Sequence, residues 1–489
     1  MSLKFKFIPL TFLKDEEEIK KQIKNTIILR YLFEQNNSTT TLAKVIEGTQ
    51  YGYNASALVA GKNKFLRISD ITDGKVNWQT VPFCDCDDES TYLLYPNDIL
   101  IARTGGTTGK SFLITNPPLH SIFAGYLIRI RANAKTSPQF LNVFLNSYVY
   151  WSQIVSINEG EFRPSANAAT LSSLILPDCK LEKQLDAVAI SNGEIVDGYS
   201  DLFKLINKTL DEYEKTKNII IETQNQESSI AILRQSIIKE TIQGKHTTDW
   251  RKQNPSTESA SLLLKRIKAE KENLIKENKL KKEKELTSIQ KEEIPYKIPQ
   301  NWVWCKLSDL IYYRKGKKPK SLVSKKDKEY NIPYIDIAAF EKGIISNYTN
   351  DNKVVFCTKN NILLVWDGAR IGLVGKNVEG AVGSTLAKID VVLINVEFIY
   401  LIFQLNFTFF NKNQKQAGLP HMNGELIDNL LVALPPLEEQ NVIVEKAELL
   451  MSKCNALQKE LKNSRNYANQ LMQAVLKEAF ETKTEVCQD

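Results

Sequence analysis

The chain repeats itself once along its 489 residues, with a period of about half its length. Residues 65–71, an apolar segment that carries an acid, correspond to residues 332–337, and both are predicted to be short buried strands. Residues 98–105 correspond to residues 361–368, where a strand runs into a glycine that permits a tight turn. Because the order of these segments is the same in both halves, the sequence predicts two similar globular bodies.

Each half closes with an apolar run that is broken by proline and followed by acidic residues, at 174–184 and at 431–440. Proline followed by acids is typical of the first turn of a helix. The segments that follow also end alike, at residues 233–240 and 471–478. The sequence therefore predicts that a long helix follows each globular half.

Both predicted helices carry an apolar seam. The second seam runs from Ile443 to Val475 in an unbroken alternation of steps of three and four, which is a heptad pattern. The first is weaker and runs through residues 185–206, where Gly193 and Gly198 disfavour a continuous helix. We expect the two seams to bury each other; the alternative is that each packs on its own globular half. The predicted interface includes Leu185, Val188, Tyr199, Leu202, Leu450, Leu457, Leu461 and Leu471.

A third helical stretch, residues 261–284, is dense in lysine and glutamate and precedes the turn-forming residues 294–299. A run of mixed charge is typical of a solvated helix face. We therefore expect a solvated connector that leads into the second globular half, with contact to phosphate as the alternative.

Composition limits the class of protein. The chain is too long for one ordinary core, and its surplus of seven positive charges is compatible with a polyanionic partner without requiring one. No apolar run reaches the roughly 18 residues of a membrane span, and the start turns acidic before any cleavage site, so we expect a cytoplasmic protein without a membrane partner. The seven cysteines and three histidines are scattered, which indicates neither a disulfide framework nor a zinc site.

Several segments approach enzyme motifs without completing them. Residues 105–111 are similar to a phosphate-binding loop, but the spacing is one residue short and Thr104 stands where the first glycine is needed. Residues 116–119 are similar to the loop that holds a flipped adenine in amino-methyltransferases, but Leu119 lacks the stacking ring. The Glu-x-Lys triplet at 277–279 lies on the charged helix without an acidic partner in a strand. These segments do not predict a catalytic centre.

The combination of motifs resembles the specificity subunits of type I restriction-modification enzymes. The segments that carry the resemblance are 233–245, 261–271, 298–304 and the Leu-Pro-Pro-Leu-Glu-Glu-Gln run at 434–440. Together they extend the similarity over nearly the whole chain. The amino terminus departs from the pattern, because it has no Trp-Val-Trp segment and has an additional stretch rich in lysine and glutamate up to about residue 36.

The resemblance implies an α+β fold with two similar globular α/β target-recognition domains. Two long helices would join them and pair as an antiparallel coiled coil, giving an internal pseudo-two-fold repeat. The implied boundaries are 1–180 for the first target-recognition domain, 181–245 for the central spacer helix, 246–294 for the charged helical connector, 295–436 for the second target-recognition domain, 437–480 for the C-terminal spacer helix and 481–489 for the tail.

It further implies that the chain binds double-stranded DNA, each domain reading one half of an interrupted, asymmetric site. At about 1.5 Å per residue the last helix would measure about 65 Å, a little under two turns of duplex. The implied protein partners are two methyltransferase subunits, docked on the helices, and restriction motor-nuclease subunits. S-adenosylmethionine, ATP and magnesium would be used by these partners; the chain itself would bind no cofactor and catalyse no reaction.

Candidate DNA-binding residues are chosen by chemistry, because basic and hydroxyl side chains on loops suit phosphate and base edges. In the first half they are Lys62, Lys64, Arg67, Arg103, Thr107, Thr108, Lys110, Ser111 and Arg163. In the second half they are Arg314, Lys315, Lys317, Lys318, Lys320, Arg370, Lys415 and His421. The alternative for many of them is a solvated surface position. Trp366 and Tyr334 are expected to be core aromatics.

Two other classes of protein remain open at this stage. A methyltransferase or nuclease fused to a binding domain would need a complete cofactor or metal motif. A coiled-coil adaptor or structural protein would explain the heptads, but it would not explain two similar globular halves with basic loops. Binding of S-adenosylmethionine or ATP by the isolated chain would distinguish an enzyme from a specificity subunit.

Overall fold

The computed structural model describes residues 16–72, 74–104, 106–157, 166–280, 287–413 and 420–480. The chain divides into two compact units. Unit 1 comprises residues 1–223 and 463–489, and unit 2 comprises residues 224–462.

Unit 1 combines helices with small, mostly antiparallel sheets. Its helices are α1 (Glu16–Asn36), α2 (Leu42–Val45), α3 (Glu89–Tyr92), α4 (Pro138–Leu145), α5 (Tyr148–Ile157), α6 (Ala168–Ser172) and α7 (Leu181–Asn192). Its strands are β1 (Thr39–Thr41), β2 (Ile46–Tyr51), β3 (Asn63–Leu66), β4 (Ile71–Thr72), β5 (Lys75–Val76), β6 (Phe83–Cys84), β7 (Ile99–Ala102), β8 (Ser111–Leu113), β9 (Ser121–Phe123), β10 (Leu127–Ala132) and β11 (Ile175–Pro177). The long helix α8 (Ser200–Ile242) follows.

Unit 2 has the same kinds of element. Its helices are α9 (Thr248–Gln253), α10 (Ala260–Lys276), α11 (Leu307–Leu310), α12 (Ile337–Lys342), α13 (Val396–Lys412) and α14 (Gly424–Asp428). Its strands are β12 (Val303–Lys306), β13 (Ile311–Lys315), β14 (Ile332–Ile335), β15 (Tyr348–Thr349), β16 (Phe356–Cys357), β17 (Ile362–Val365), β18 (Val374–Gly375), β19 (Gly380–Val382), β20 (Leu386–Val391) and β21 (Leu431–Leu434). The chain continues into α15 (Leu437–Phe480), over the residues for which a long heptad helix is predicted.

The main sheet of each unit is antiparallel. Within the described residues its strand order is β2-β10-β7-β8 in unit 1 and β13-β20-β17-β18 in unit 2. Each unit also pairs its first strand with the strand before its closing helix, β1 with β11 and β12 with β21. A second sheet contains β6-β3-β9 in unit 1 and β15-β14-β19-β16 in unit 2. The fold is thus a mixture of helix and sheet with long helices.

The core of unit 1 lies between its main sheet and helices α1, α4, α5 and α7. Aromatic side chains fill it, among them Phe140, Phe144, Tyr148 and Tyr150, each at most 1% exposed. In unit 2 the helix α13 supplies the equivalent apolar surface against its own main sheet. Burial of apolar surface is the dominant favourable contribution to folding, and large aromatic rings bury the most area per side chain.

The predicted central spacer helix, residues 181–245, is not one continuous helix. Helix α7 ends at Asn192, where Gly193 adopts a left-handed conformation with φ of 92° and donates its N–H to the carbonyls of Ala189 and Ile190. Gly198 is also left-handed, with φ of 87°, and α8 begins at Ser200. The two glycines terminate the first helix because this backbone conformation suits glycine far better than other residues.

The prediction of a solvated connector over residues 261–284 is wrong for one face of the helix. Ala260, Leu263 and Ile267 of α10 are fully buried in the core of unit 2. Lys271 lies on the same face and is only 7% exposed. Its ammonium donates to the carbonyl oxygens of Ser308, in the short helix α11, and of Ile311, the first residue of β13. The helix is therefore part of the unit 2 core, and its other faces carry the exposed charges.

The amino-terminal stretch rich in lysine and glutamate also belongs to a core. From residue 16 onward it forms α1, whose Ile23, Ile27, Ile28 and Leu29 are at most 2% exposed. Ile23 and Ile27 lie on the same side of the helix, and Ile28 and Leu29 extend the buried surface around much of its circumference, so α1 is packed into unit 1. The first globular body therefore includes this helix.

Candidate nucleic-acid interface

A tight loop follows the third strand of the main sheet in each unit, after β7 and after β17. In unit 1 the loop opens with the Arg103 N–H bonded to the Tyr126 carbonyl at 2.9 Å and closes with Gly109 N–H on the Ala102 carbonyl at 2.8 Å. In unit 2 the corresponding bonds join Trp366 to Thr385 at 2.8 Å and Gly372 to Val365 at 3.0 Å. Gly109 and Gly372 have φ of 86° and 87°. The two units therefore hold this loop in the same way.

Arg103 is exposed beside this loop in unit 1. Its guanidinium carbon lies 4.9 Å from the centre of the Tyr51 ring. Tyr51 is itself held in place, because its hydroxyl accepts the backbone N–H of Ala168 at 3.1 Å. Tyr126, whose carbonyl opens the loop, is 69% exposed. The result is an exposed surface that combines one cation with two aromatic rings.

The sequence gives no motif or periodicity that selects Tyr51 or Tyr126. One signal in the sequence could have pointed to Tyr51. When the two halves are aligned at Gly52 and Gly316, Tyr51 matches Lys315, which is a predicted site residue. In the structure a Cβ on Gly52 would lie 2.1 Å from the Ala124 carbonyl oxygen, and one on Gly316 would lie 2.3 Å from that of Val382. Both positions require glycine, since each brings two backbone segments into close approach.

The other predicted basic residues of unit 1 contact the protein itself. Lys62 is exposed, with its ammonium 3.9 Å from Asp87. Lys64 donates to the Val81 carbonyl at 2.9 Å and lies 4.0 Å from the centre of the Phe83 ring. Arg67 pairs with Asp70 at 2.8 Å, and this hydrogen bond raises the pKa of the guanidinium. Lys64 and Arg67 therefore stabilise local structure, which reduces the donors that they can offer to DNA.

The glycine-rich loop contributes little exposed chemistry. Thr108 is buried, and Thr107, Lys110 and Ser111 are half-buried. The ammonium of Lys110 lies 3.9 Å from the carboxylate of Glu18 on α1. Arg163, in the first half, and Lys415, in the second, lie outside the residues that the structure describes.

The basic loop of unit 2, residues 314–320, divides into two parts. Arg314 and Lys315 form ion pairs with Asp390 at 3.3 Å and with Asp367 at 2.7 Å. Lys317, Lys318 and Lys320 are exposed and form no ion pair within the described ranges. These last three lysines are the part of the loop that remains available for phosphate.

His421 lies next to this loop and is part of a hydrogen-bonded chain. The indole Nε1–H of Trp366 donates to His421 Nε2 at 3.1 Å, so the ring proton sits on Nδ1, which donates to Asp367. Asp367 also accepts Lys315. Trp366 is 7% exposed and packs in the core of unit 2, as expected from the sequence. The candidate Arg370 is exposed but paired with Glu341.

The predicted helix-seam residues fall into two groups. Leu202 is buried in unit 1, and Val188 and Tyr199 pack against the same core. In unit 2, Leu450 and Leu461 pack on a cluster formed by Ile230 and Ile237 of α8 and Cys454 of α15. The others are about half exposed, namely Leu185, Leu457 and Leu471.

The described residues provide no group of three or more histidine, cysteine or acidic side chains that could hold a metal ion. Cys84 and Cys86 are buried free thiols, and burial raises the pKa of Cys84 to about 11. In the parts of the chain that the structure describes, no helix combines the length and apolar character needed to cross a membrane.

Comparisons with known proteins agree with these features. Residues 299–464 match the family model described as the type I restriction modification DNA specificity domain. The chain is 32% identical over 152 residues to the MjaVIII specificity subunit of Methanocaldococcus jannaschii, a match that covers 30% of this chain and 36% of the relative. It is 28% identical over 257 residues to the EcoAI specificity subunit of Escherichia coli, covering 49% and 43% of the two chains.

The fold also matches a solved structure, from a study of complex assembly and conformational transition of the type I restriction-modification system. The TM-score is 0.54 at 15% identity, covering 91% of this chain and 98% of the other, and this likeness concerns the fold alone. The matches span less than half the length of the two curated relatives. The resemblance inferred from the sequence is confirmed: residues 299–464 match the type I restriction modification DNA specificity domain, and the chain is similar to type I specificity subunits over part of its length.

Proposed function

We propose that this chain is the DNA-specificity subunit of a type I restriction-modification complex and that it recognises a bipartite, asymmetric DNA site. The observation that carries the proposal is that both units build the same loop after the third strand of the same sheet, yet present different side chains on it. A protein that reads two different half-sites needs this combination of one scaffold and two surfaces.

The proposed internal repeat has further support in the connection that leads out of each main sheet. In unit 1 the buried Gln184 accepts the Ser137 N–H at 2.8 Å and donates to the Cys179 carbonyl at 2.9 Å. In unit 2, Gln440 accepts the Asn395 N–H at 2.9 Å and donates to the Pro435 carbonyl at 3.0 Å. The same pair of hydrogen bonds from a glutamine side chain thus fixes the start of α7 and the start of α15.

We also propose that α8 and α15 pair as an antiparallel coiled coil. In unit 2 their contact is apolar, through Ile230, Ile237 and Cys454, and it is flanked by Arg234, which donates to Asn455 at 2.5 Å. In unit 1, Leu202 of α8 and Val475 of α15 belong to the same core cluster. The half-exposed leucines Leu185, Leu457 and Leu471 would then be available to dock partner subunits.

The proposed partners are double-stranded DNA, two methyltransferase subunits and restriction motor-nuclease subunits, in the cytoplasm. In this assignment methyl transfer, ATP-driven translocation and cleavage belong to the partners, together with S-adenosylmethionine, ATP and magnesium. This chain contributes recognition and docking and has no catalytic role.

Mapping of N6-methyladenine across the genome tests the proposal. Cells that express the chain with its methyltransferase should show an interrupted two-part motif that is absent from cells without the chain. Replacing residues 1–180 by those of a relative should change one half of the motif and leave the other half intact. A stable complex that methylates no such motif would contradict the proposal and favour an adaptor.

The exposed lysines of unit 2 should bind DNA phosphates. Replacing Lys317, Lys318 and Lys320 by alanine is expected to reduce the slope of log K against log salt concentration by about 2.7, since each phosphate contact contributes about 0.9. The loss of affinity should be similar for all sequences, because phosphate contacts carry no base information. Fluorescence anisotropy with duplex DNA over a range of salt concentrations measures both quantities.

The matched control removes the same charge from the helix α10. Lys265, Lys268 and Lys276 are exposed on α10, and their replacement by alanine should leave the salt slope nearly unchanged. If the α10 variant loses as much slope as the loop variant, the phosphate contact belongs to the charged helix instead.

A further inference from the structure

Arg103 differs from the other arginines selected from the sequence that the structure describes. Arg67 and Arg370 pair with carboxylates, as does Arg314. The guanidinium of Arg103 forms no hydrogen bond or ion pair within the described residues, and it rests on the Tyr51 ring. A stacked guanidinium is held in a fixed plane while its N–H donors stay free. Among the described residues, Arg103 therefore presents a hydrogen-bonding edge that no other side chain or carbonyl occupies.

The position that Arg103 occupies carries other chemistry in unit 2. By the recurring backbone bonds, Arg103 corresponds to Trp366, and Tyr126 corresponds to Thr385. Tyr51 corresponds to Lys315, because Gly52 and Gly316 make the same bond to β10 and β20, at 3.1 and 2.8 Å. A phosphate contact, which is independent of sequence, would favour the same chemistry in both units. Different side chains at one place favour a base contact.

The surroundings of Arg103 also favour a base over a phosphate. The backbone N–H of Arg103 donates to the carbonyl of Tyr126, and the Tyr126 side chain is 69% exposed. An uncharged aromatic surface suits a thymine methyl group or a base face. Arginine with two free parallel donors matches the O6 and N7 acceptors of guanine, which is the commonest specific contact in the major groove.

We propose that Arg103 reads a guanine in the half-site bound by unit 1, with Tyr51 as its positioning residue and Tyr126 in contact with the adjacent base. This inference rests on the proposed function and assigns the base-reading chemistry of unit 1. The equivalent place in unit 2 reads its half-site through Lys315, Asp367 and His421, which form one hydrogen-bonded cluster.

Genome-wide mapping of N6-methyladenine, with the full chain and its methyltransferase, tests the assignment. Arg103→Ala and Arg103→Lys should make one guanine position degenerate in one half of the motif, with discrimination at that position reduced roughly 5- to 150-fold. The other half should stay unchanged. Tyr51→Ala should relax the same position, and Tyr51→Phe, which keeps the ring under the guanidinium, should preserve it. Lys44→Ala, an exposed charge elsewhere in unit 1, is the control and should leave the motif intact.

The outcomes separate this inference from the proposed function. A wild-type chain that directs no two-part motif would refute the proposed function. A wild-type motif that Arg103→Lys leaves complete would refute the guanine contact alone. If the Arg103 variants lower methylation by the same factor at all sites and leave the motif unchanged, Arg103 contacts a phosphate. That result would also overturn the assignment. If Arg103→Ala abolishes methylation, the Arg103→Lys motif decides between these results.

Discussion

Replacing Glu439 by alanine is expected to lower the free energy of unfolding of unit 2 by about 3–5 kcal/mol. The carboxylate is 1% exposed and accepts hydrogen bonds from the Trp302 indole at 2.7 Å, from Arg251 at 2.6 Å and from the Thr247 hydroxyl at 2.6 Å. Its removal leaves a largely buried guanidinium and an indole N–H without their acceptor. The cost is large because a buried charge that loses its partner is not rehydrated.

Urea unfolding followed by tryptophan fluorescence measures this change, since Trp302 lies in the network itself. Glu438 is the matched control, because it is the adjacent glutamate on α15 and is exposed. Glu438→Ala should change the free energy of unfolding by less than about 0.5 kcal/mol. Equal urea midpoints for the two variants would show that the hydrogen bonds of Glu439 do not stabilise unit 2.

The same network shows what the sequence can and cannot predict. The Pro-Leu-Glu-Glu-Gln segment predicts a helix start, and α15 begins there at Leu437. Helix-start rules attribute Glu439 to the helix dipole. Its partners Thr247, Arg251 and Trp302 are between 137 and 192 residues away along the chain, so no local pattern could reveal the buried network.

The burial of α10 could have been predicted from the spacing of its apolar residues, but Lys271 on the same face suggested solvent exposure. Ala260, Leu263 and Ile267 are spaced by three and four and define one helix face, and Lys271 continues it by four. A lysine on an apolar face reads as a sign of solvent exposure. In the structure its stem is buried, and its ammonium binds the carbonyls of Ser308 and Ile311, which other segments of unit 2 supply.

The sequence predicts where the loops of the candidate interface lie, but it does not predict which residues in them are free to bind DNA. The repeat placed a turn after residues 98–105 and 361–368, and the structure has a loop at each place. Which cations are free depends on acids that are distant in sequence, such as Asp390 for Arg314 and Glu341 for Arg370. Spacing in the sequence does not predict these ion pairs, so the sequence alone does not distinguish paired cations from free ones.

Phe480→Ala is expected to lower the free energy of unfolding of unit 1 by about 3–5 kcal/mol, the usual cost of deleting a buried aromatic ring. Phe480 ends α15, is 5% exposed, and stacks on Tyr148 with ring centres 4.6 Å apart and an interplanar angle of 14°. The helix end is fixed as well, because Arg30 of α1 donates to the carbonyls of Glu478 and Ala479 at 2.7 and 3.1 Å. Loss of the ring opens a cavity against Tyr148 that this anchored helix end cannot easily fill.

Hydrogen exchange of peptides from α1, α5 and the end of α15 would locate the effect in unit 1, and urea unfolding would give its size. Tyr467 is the matched control, an aromatic residue on the same helix that is 71% exposed. Tyr467→Ala should leave both measurements within about 0.5 kcal/mol of the wild type. Faster exchange in α1 with Phe480→Ala, but not with Tyr467→Ala, follows if the end of α15 is a structural part of unit 1. Unchanged exchange in α1 would mean that α15 ends without stabilising unit 1, and the proposed pairing of α8 with α15 would lose its support there.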